Sequence, residues 1–357
     1  EKLKTLQARH AELITSDSDT IEKIYWLLED AKRYGTLPFA GLARAGFIAV
    51  QMLRSLVNVG VFSEADYDAF IGGVSTVSGQ LANDRITLNK GAFLEKYGHL
   101  RPGTYDILSP RYDEEPDIYF DWNRPIAVPK STEPFSITLA QMREVGSLLK
   151  SHNLKADPVE LFDFISAGIE QRELAKFHFT RNLSDALALF KQFGGSLGFA
   201  LEDLAFCDVG TIQELYSAAE EPKAALARSI EKGKARYDET VRVSLPPIIS
   251  SPRDVRSFYW PESQPNFITQ KQVNAPVVDY KNKERLAGAI VCVPNADPGF
   301  DWLFSYPISG LITAWGGANA HMAIRAGELG LPAVVGSGES LYNRWTSSKK
   351  IHLDCAG

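Results

Sequence analysis

Cysteine is scarce in this chain of 357 residues. Its three cysteines, Cys207, Cys292 and Cys355, are widely spaced and form no C-x-x-C pair, so neither a disulfide framework nor a zinc ribbon is expected. The histidines also lack the spacing of metal ligands, and we expect no metal site within the chain. Unpaired cysteines are typical of a reducing compartment, which predicts a cytoplasmic protein.

Long runs of apolar residues and long runs of basic residues are absent as well. No apolar stretch approaches the roughly 20 residues that a membrane span needs, and no signal peptide opens the chain. The formal net charge is −6, and no run of lysine and arginine is long enough to follow a polyanion. We therefore expect neither a membrane nor a nucleic acid as partner. The Gly-x-x-x-x-Gly-Lys-(Ser/Thr) loop that binds nucleotide phosphates is also missing.

The length of the chain predicts two or more domains, and 45% hydrophobic residues are enough for a large core. Apolar residues recur at helical spacing up to about residue 243, and residues 244–252 then carry three prolines. Beyond them, short β-branched runs alternate with helical patterns. We predict a mainly α-helical domain at 1–243, a proline-rich linker at 244–261 and a small α/β domain at 262–357.

Local signals refine this division. Ile21, Ile24, Tyr25 and Leu28 predict a helix that ends at Gly35. Ser63 with Asp66 predicts a capping box, and Asp157 before Pro158 predicts a helix start. In the C-terminal region the patterns predict strands at 267–273, 289–293, 311–314, 333–335 and 351–353, and helices at about 298–305, 319–330 and 338–346.

The most informative segment runs from residue 310 to residue 336. It has the pattern of a strand, a double-glycine turn, a helix start and a second strand, with His321 at the turn. We expect positive φ angles at Gly316 and Gly317 and a helix capped by Asn319. The apolar positions of this helix include Met322, Ile324 and Leu329.

This placement suits His321 for carrying a phosphoryl group. Free backbone N–H groups at a helix start favour added negative charge, and an imidazole is a good nucleophile near neutral pH. The alternative is that His321 only caps or packs the turn, which is the commoner role of a lone histidine in such a position.

The wider pattern resembles a known family. Thr313-x-x-Gly316-Gly317-x-x-x-His321, followed by Ala323-Ile324 and by Glu328-Leu-Gly-Leu-Pro-Ala-Val-Val-Gly336, resembles the swivelling phosphohistidine domain of phosphoenolpyruvate-utilising enzymes. This family includes phosphoenolpyruvate synthase, pyruvate phosphate dikinase, rifampin phosphotransferase and L-glutamine kinase. The resemblance covers roughly residues 262–357.

The resemblance implies that His321 is phosphorylated and dephosphorylated in each turnover. It also implies a phosphate-binding role for Thr313, Gly316, Gly317, Asn319, Arg325 and Glu328. Two departures from the family pattern stand out, because the family often has Ser or Cys at the position of Ala320 and Arg at the position of Gly327. Arg325 is a candidate for the missing cation, and the alternative is a solvated helix face.

A second candidate site lies at residues 97–112. There the polar side chains of His99, Arg101, Tyr105, Asp106 and Arg111 are presented on turns, which is typical of a binding loop. The arginines would grip a carboxylate or phosphate, and Asp106 would receive an amine or orient His99. The alternative is a turn held together by internal Arg–Asp pairs. The segment resembles the helical acceptor domain of rifampin phosphotransferase-like enzymes, and most closely that of glutamine-kinase-like members.

A basic stretch supports this second site. The apolar stripe of Phe162, Ile165 and Ile169 continues into Arg172 and Lys176, so we expect these two cations to line a polar cleft for the substrate. The alternative is a local pair of Lys176 with Glu173.

The resemblance implies an ATP-dependent phosphotransferase with a phosphohistidine intermediate. ATP and Mg2+ would be bound by an N-terminal ATP-grasp domain that lies outside this chain, and we expect the chain to be a fragment that is inactive alone. The phosphoryl group would pass through His321 to a small-molecule acceptor, with L-glutamine as the leading candidate, and AMP and phosphate would be released. A rifamycin-type antibiotic phosphotransferase and a phosphoenolpyruvate synthase-like enzyme are alternatives. A non-catalytic phosphocarrier or regulatory protein is an alternative of another class.

Overall fold

The computed structural model describes residues 1–120, 122, 135–217, 220–243, 245–246, 249–257, 264–318 and 320–356. For Ser78, Ala82, Pro298 and Glu328 it describes the backbone alone. A mainly helical region is followed by a small mixed α/β domain, as the sequence predicts.

The chain forms two compact units. Unit 1 consists of Glu1–Leu100, Arg111–Pro116 and Trp122–Phe193, and unit 2 consists of Arg101–Pro110, Asp117–Asp121 and Gly194–Gly357. Unit 2 therefore contains the C-terminal sheet together with two short stretches from the middle of the chain. The domain bounds predicted from the sequence remain a prediction, because compactness in one conformation does not define which parts move together. The predicted linker lies only partly within the described residues.

Twelve α-helices lie in the described residues before the sheet. They are α1 Lys2–Thr15, α2 Thr20–Asp30, α3 Leu37–Asn58, α4 Glu64–Gly73, α5 Val77–Thr87, α6 Lys90–Tyr97, α7 Pro116–Tyr119, α8 Leu139–Ser151, α9 Pro158–Ser196, α10 Leu201–Leu204, α11 Gly210–Tyr216 and α12 Pro222–Thr240.

Two of the predicted helix starts are confirmed. The Ser63 hydroxyl accepts from the amide of Asp66, and the Asp66 carboxylate accepts from the amide of Ser63. Asp157 accepts from the amide of Glu160, and α9 begins at Pro158. The Ser63 hydroxyl and the Asp157 carboxylate each satisfy an amide group of the first turn that has no partner within the helix.

The predicted helix end at Gly35 is wrong. A π-helical segment at Ala31–Thr36 joins α2 directly to α3, so the helical backbone continues through Gly35. A Cβ atom at this position would overlap the Cβ of Phe179 on α9. The glycine therefore permits close helix packing and does not end a helix.

The core of unit 1 forms where α9 packs against α3 and α8. Its fully buried members include Ala49 and Leu53 of α3, Val145 of α8 and Ile165 of α9. Phe62 and Phe162 stack against each other at the edge of this cluster, with ring centroids 5.8 Å apart.

One helical stretch differs from the expectation of no membrane-length segment. The helical backbone Thr20–Asn58 contains an 18-residue window with a mean hydropathy of 1.3, and 17% of that window is buried. By length and composition alone it qualifies as a membrane span. Core helices of soluble proteins and signal sequences meet the same criterion, so the stretch does not by itself identify a membrane protein.

Unit 2 contains a sheet of six strands in the order β1-β5-β4-β3-β2-β6. The strands are β1 Asn266–Ile268, β2 Gln272–Asp279, β3 Ile290–Asn295, β4 Gly310–Trp315, β5 Ala333–Val335 and β6 Lys350–Asp354. Neighbours from β2 to β5 are parallel, whereas β1 and β6 run antiparallel to their partners. Helices α13 His321–Glu328 and α14 Gly338–Thr346 accompany 3-10 helices at Lys283–Arg285 and Pro298–Ser305.

The C-terminal elements were predicted well, with three corrections. The single strand expected at 267–273 is two strands, because Thr269 has a φ of 71° and turns the chain between them. The helix expected at 298–305 is a 3-10 helix. Met322 is buried as expected, but Ile324 and Leu329 are exposed, so the buried stripe of α13 consists of Met322, Ala323 and Ala326.

Candidate active site

The site forms at the edge of the sheet where β3, β4 and β5 end. Because these strands are parallel and adjacent, their carboxyl ends lie together, and ligands of open α/β sheets bind at such an edge. Three segments follow the strands at this edge. They are the Pro298–Ser305 helix after β3, the turn before His321 after β4, and the turn at Gly336 after β5.

The turn after β4 depends on Gly316. Its φ is 135°, and a Cβ atom there would lie 2.7 Å from the Cβ of Ala296 and 2.8 Å from Cγ1 of Val335. Positive φ is therefore confirmed for Gly316. The same expectation is wrong for Gly317, whose φ lies outside the left-handed region and whose surroundings leave space for a side chain.

Thr313 ties the turns after β4 and β5 together. This residue is fully buried, and its hydroxyl donates to the carbonyl of Trp315 at 2.9 Å and accepts from the amide of Gly336 at 3.1 Å. The Thr313 carbonyl accepts from the amide and the hydroxyl of Ser337. Thr313 is thus a framework residue of the site, and its side chain fixes the two glycine turns that flank the histidine.

His321 is the first residue of α13, and its ring contacts a carboxylate. Nε2 of His321 lies 2.6 Å from Oδ1 of Asp301, and the two side chains are only 16% and 8% exposed. An ionised carboxylate only accepts hydrogen bonds, so this contact requires a proton on Nε2. Asp301 is therefore the hydrogen-bond partner of the His321 ring.

The sequence reasoning missed Asp301. Asp297 before Pro298 is a helix-start signal, and Asp297 does cap the 3-10 helix by accepting from the amide of Gly299 at 2.8 Å. This signal places Asp301 on a helix. Nothing in the sequence pairs that helix with a histidine twenty positions later, because the pairing depends on how α13 packs against the 3-10 helix.

Arg325 lies one turn after His321 on the same face of α13. It is half-buried, and its guanidinium carbon lies 6.0 Å from the ring centroid of Phe304 on the 3-10 helix. The Arg325 side chain is thus less exposed than it would be on a solvated helix face, which was the alternative considered from the sequence. Asn319 lies outside the described residues, and the helix starts with Ala320 as its N-cap, which has no capping side chain. The side chain of Glu328 is also outside the description.

Of the predicted acceptor residues, Arg101, Tyr105 and Asp106 belong to unit 2. Arg101 is 4% exposed and donates to the carbonyls of Asp106 and Ser109 within its own loop. The carboxylate of Asp106 accepts from the amide of Leu108, and Tyr105 is 70% exposed. These contacts hold the loop in shape, so a substrate role for Arg101 and Asp106 remains a prediction.

His99 and Arg111 belong to unit 1, where Arg111 joins two carboxylates. Its guanidinium donates in a fork to Asp113 at 2.8 and 2.6 Å, and to Asp185 at 2.5 Å. Asp185 also contacts Nε2 of His10 at 2.7 Å. Burial raises the pKa of a carboxyl group, but the bonds from His10 and Arg111 outweigh it and lower the pKa of Asp185. The internal Arg–Asp pairing that the sequence left open is therefore present at Arg111.

His99 is a buried imidazole beside this network. It is 3% exposed, and its ring meets the ring of Phe177 edge-on, with ring centroids 4.7 Å apart. Burial first, and then the positive charge of Arg181, lowers the pKa of His99 to about 3. The ring is therefore neutral at physiological pH.

The basic stretch on α9 is half-buried. The guanidinium carbon of Arg172 lies 5.8 Å from the ring centroid of Phe47, and the buried line of α9 passes through Ala175 and Phe179. Arg172 and Lys176 therefore flank the buried stripe and do not continue it. Their predicted role in substrate binding remains a prediction.

We searched the described residues for side chains arranged to bind a metal ion. Across the described ranges, no group of three or more His, Cys, Asp or Glu side chains is arranged to hold one, and we assign no chemical step to a metal here. Cys292 is buried in β3, and burial raises the pKa of its thiol to about 12. That thiol is chemically inert at neutral pH.

Comparison with known proteins identifies the C-terminal segment. Residues 286–356 match the family model described as PEP-utilising enzyme, mobile domain. A comparison with curated proteins found no match. The segment is thus similar to the mobile domain of phosphoenolpyruvate-utilising enzymes, which is a phosphocarrier domain of the kind found in phosphotransfer enzymes. His321, Asp301 and the two glycine turns all lie inside the matched segment.

Proposed function

We propose that this chain is the acceptor and phosphocarrier portion of an ATP-dependent phosphotransferase, with His321 as the residue that carries the phosphoryl group. The observation that supports this most directly is the position of His321. Its imidazole stands at the first residue of a helix, at the carboxyl edge of parallel strands, with Asp301 bound to its ring.

The proposed reaction has two transfers. In the first transfer, the bond from the β-phosphorus of ATP to the oxygen that bridges it to the α-phosphate breaks, AMP leaves, and a P–N bond forms to an imidazole nitrogen of His321. Water then removes the terminal phosphate. In the second transfer, the P–N bond breaks as the remaining phosphoryl group passes to an oxygen or nitrogen atom of the acceptor. With one water molecule consumed, ATP and acceptor yield AMP, phosphate and phosphorylated acceptor. We propose that ATP and Mg2+ bind to a part of the protein outside this sequence.

The residues around His321 support the first transfer. At Gly317 no atom lies within 4 Å of where a Cβ would stand, which leaves space for a phosphate close to the backbone, and Thr313 holds the preceding turn in place. Arg325 lies on the histidine's face of α13, where it would neutralise charge on the phosphoryl group. Gly317, Asn319 and Glu328 complete the proposed phosphate-binding set.

The acceptor is proposed to be a small molecule with L-glutamine as the leading candidate. We propose that it contacts residues of the two predicted patches, namely His99, Arg101, Tyr105, Asp106, Arg111, Arg172 and Lys176. The guanidinium of Arg111 is held by Asp113 and Asp185, so gripping a carboxylate would require an exchange of partners. A rifamycin hydroxyl and pyruvate remain the alternative acceptors.

In the proposed reaction, His321 must reach both ATP and the acceptor, which bind at separate sites. We propose that the domain carrying His321 swivels about residues 244–261, because a single carrier must visit both the nucleotide and the acceptor. Fluorescent labels on residues of α14 and of α8 would report this motion as a change in energy transfer when ATP or acceptor is added to the complete protein. A constant distance under all conditions would contradict the swivelling.

The phosphocarrier role is tested with His321→Asn. Potassium phosphoramidate, a small chemical donor that phosphorylates histidine, replaces the nucleotide-binding part. The unmodified protein is expected to gain acid-labile, base-stable phosphate on the peptide that contains residue 321, and the His321→Asn variant none on that peptide. His352→Asn, an exposed histidine on β6, is the matched control and should label normally. Equal labelling of the His321→Asn variant would exclude His321 as the carrier.

The acceptor is identified by discharge of the labelled protein. Amino acids, keto acids and rifamycins are added singly, and the loss of phosphohistidine and the appearance of the phosphorylated product are followed by 31P NMR. L-Glutamine is expected to accelerate the loss. Discharge by none of these compounds, with transfer to a second protein, would favour the non-catalytic phosphocarrier.

A further inference from the structure

The loop Arg101–Pro110 lies directly against the 3-10 helix Pro298–Ser305, which we call the Asp301 helix; both belong to unit 2. A Cβ atom at Gly299 would overlap the carbonyl oxygen of Arg101 and the Cα of Pro102. Only glycine leaves room for this backbone contact. The start of the loop therefore contacts Gly299, which precedes Asp301 by two residues in the sequence.

The end of the loop reaches the same helix through an aromatic side chain. The hydroxyl of Tyr119 donates to the carbonyl of Pro110 at 2.7 Å, and the Tyr119 ring meets the ring of Trp302 at 5.9 Å. Trp302 is 2% exposed and follows Asp301 directly. Both ends of the loop are thus attached to residues that flank Asp301.

The loop is also stiff between its two attachments. The buried guanidinium of Arg101 bridges the carbonyls of Asp106 and Ser109, and the carboxylate of Asp106 accepts from the amide of Leu108. Its exposed side chains include Tyr105 and Leu108. A displacement at this exposed tip is therefore passed to both attachment points, because the bonds inside the loop prevent it from bending alone.

We propose that Asp301 is a positioning residue for His321, and that the Arg101–Pro110 loop sets the position of Asp301. The inference rests on the proposed function in one respect, since Arg101, Tyr105 and Asp106 are among the proposed acceptor contacts. An acceptor that binds the loop changes the contact between Asp301 and His321, and the histidine thereby responds to the presence of its acceptor.

The contact itself is tested by NMR of the His321 ring. Selective 15N labelling of histidine shows which ring nitrogen carries the proton, and His321→Asn identifies the signal. The unmodified protein is expected to show a proton on Nε2. Asp301→Ala should shift the signals of Nε2 and of its proton, because it removes the hydrogen-bond acceptor, and Asp301→Glu should restore them in part. An unchanged ring signal in Asp301→Ala would overturn the role of Asp301.

The loop is tested with Gly299→Ala and Tyr119→Phe. The first variant pushes the backbone of Arg101 and Pro102 away, and the second removes the bond to Pro110 while keeping the ring. Both are expected to shift the His321 signal in the direction of Asp301→Ala. Gly41→Ala on α3, where a Cβ meets no atom within 4 Å, is the control and should leave the signal unchanged. An unaltered signal in folded Gly299→Ala and in Tyr119→Phe would overturn the inference.

Phosphorylation by phosphoramidate adds a second measurement. Loss of one charge-assisted hydrogen bond is expected to slow labelling of His321 about tenfold in Asp301→Ala. The two proposals fail in different ways. If His321 takes up no phosphate but its ring signal follows Asp301 and Gly299, the phosphocarrier role is wrong and the positioning role stands.

Discussion

Oγ1 of Thr313 lies 3.1 Å from the amide nitrogen of Gly336, so a side chain in the middle of β4 holds the turn that ends β5. The same hydroxyl donates to the carbonyl of Trp315, directly before the glycine turn that leads to His321. One buried hydroxyl thus fixes both turns at the site.

Thr313→Val is expected to destabilise unit 2. Valine has nearly the same shape but takes the buried hydroxyl away from the amide of Gly336 and the carbonyl of Trp315, which costs about 1–3 kcal/mol. Chemical denaturation with tryptophan fluorescence measures the loss. Thr240→Val, at an exposed position on α12, is the control and should change stability by less than about 0.5 kcal/mol. Equal stability of the two variants would contradict the bracing role of Thr313.

The acid sensitivity of unit 1 should depend on His99. Its pKa is lowered to about 3 by burial, whereas an unfolded histidine takes up a proton below about pH 6.5. The unfolded state therefore binds more protons as the pH falls from 6.5 towards 3, and stability is lost over that window. Between pH 7 and pH 5 the loss from this residue is about 2 kcal/mol.

His99→Gln removes that contribution. Unfolding free energies at pH 7 and pH 5 should differ by about 2 kcal/mol less in His99→Gln than in the unmodified protein. His152→Gln, at an exposed position after α8, keeps the full pH dependence and is the control. A pH dependence in His99→Gln equal to that of the control would show that His99 is protonated in the folded protein.

Arg111→Ala is expected to destabilise unit 1 strongly. Its side chain is 13% exposed and binds Asp113 and Asp185, and removing it leaves the half-buried carboxylate of Asp185 with His10 as its remaining partner, which costs about 3 kcal/mol. Hydrogen exchange of α9 amides reports the change, and Arg143→Ala at an exposed position of α8 is the control. Normal exchange together with slower discharge to the acceptor would instead assign Arg111 to the substrate.

Two glycines in one continuous helix should respond in opposite directions. Gly35→Ala places a methyl group against Cβ of Phe179 and is expected to cost about 1–3 kcal/mol. Gly41→Ala meets no atom within 4 Å and is expected to stabilise the helix by up to about 1 kcal/mol. Thermal unfolding followed by circular dichroism measures both. Stabilisation by both substitutions would mean that α9 does not pack closely at Gly35.

The sequence by itself determined most of the secondary-structure elements and pointed to a candidate reactive group. Apolar spacing predicted the helical region and most strands, the capping pairs at Ser63 and Asp157 were confirmed, and the motif around His321 pointed to the family whose mobile domain matches residues 286–356. These features are local, because helical periodicity, caps and glycine turns depend on residues a few positions apart.

Only the tertiary structure decided which groups meet. Asp301 and His321 are in contact although twenty positions separate them in the sequence, and almost two hundred separate Arg101 from Gly299, which it contacts. The ring of His99 packs against Phe177 of α9. The sequence also did not reveal the role of Gly35, because a glycine that ends a helix and a glycine that allows a neighbouring helix to pack closely look the same in a sequence. Such contacts depend on how elements pack, and packing is set by the whole core and not by the residues on either side.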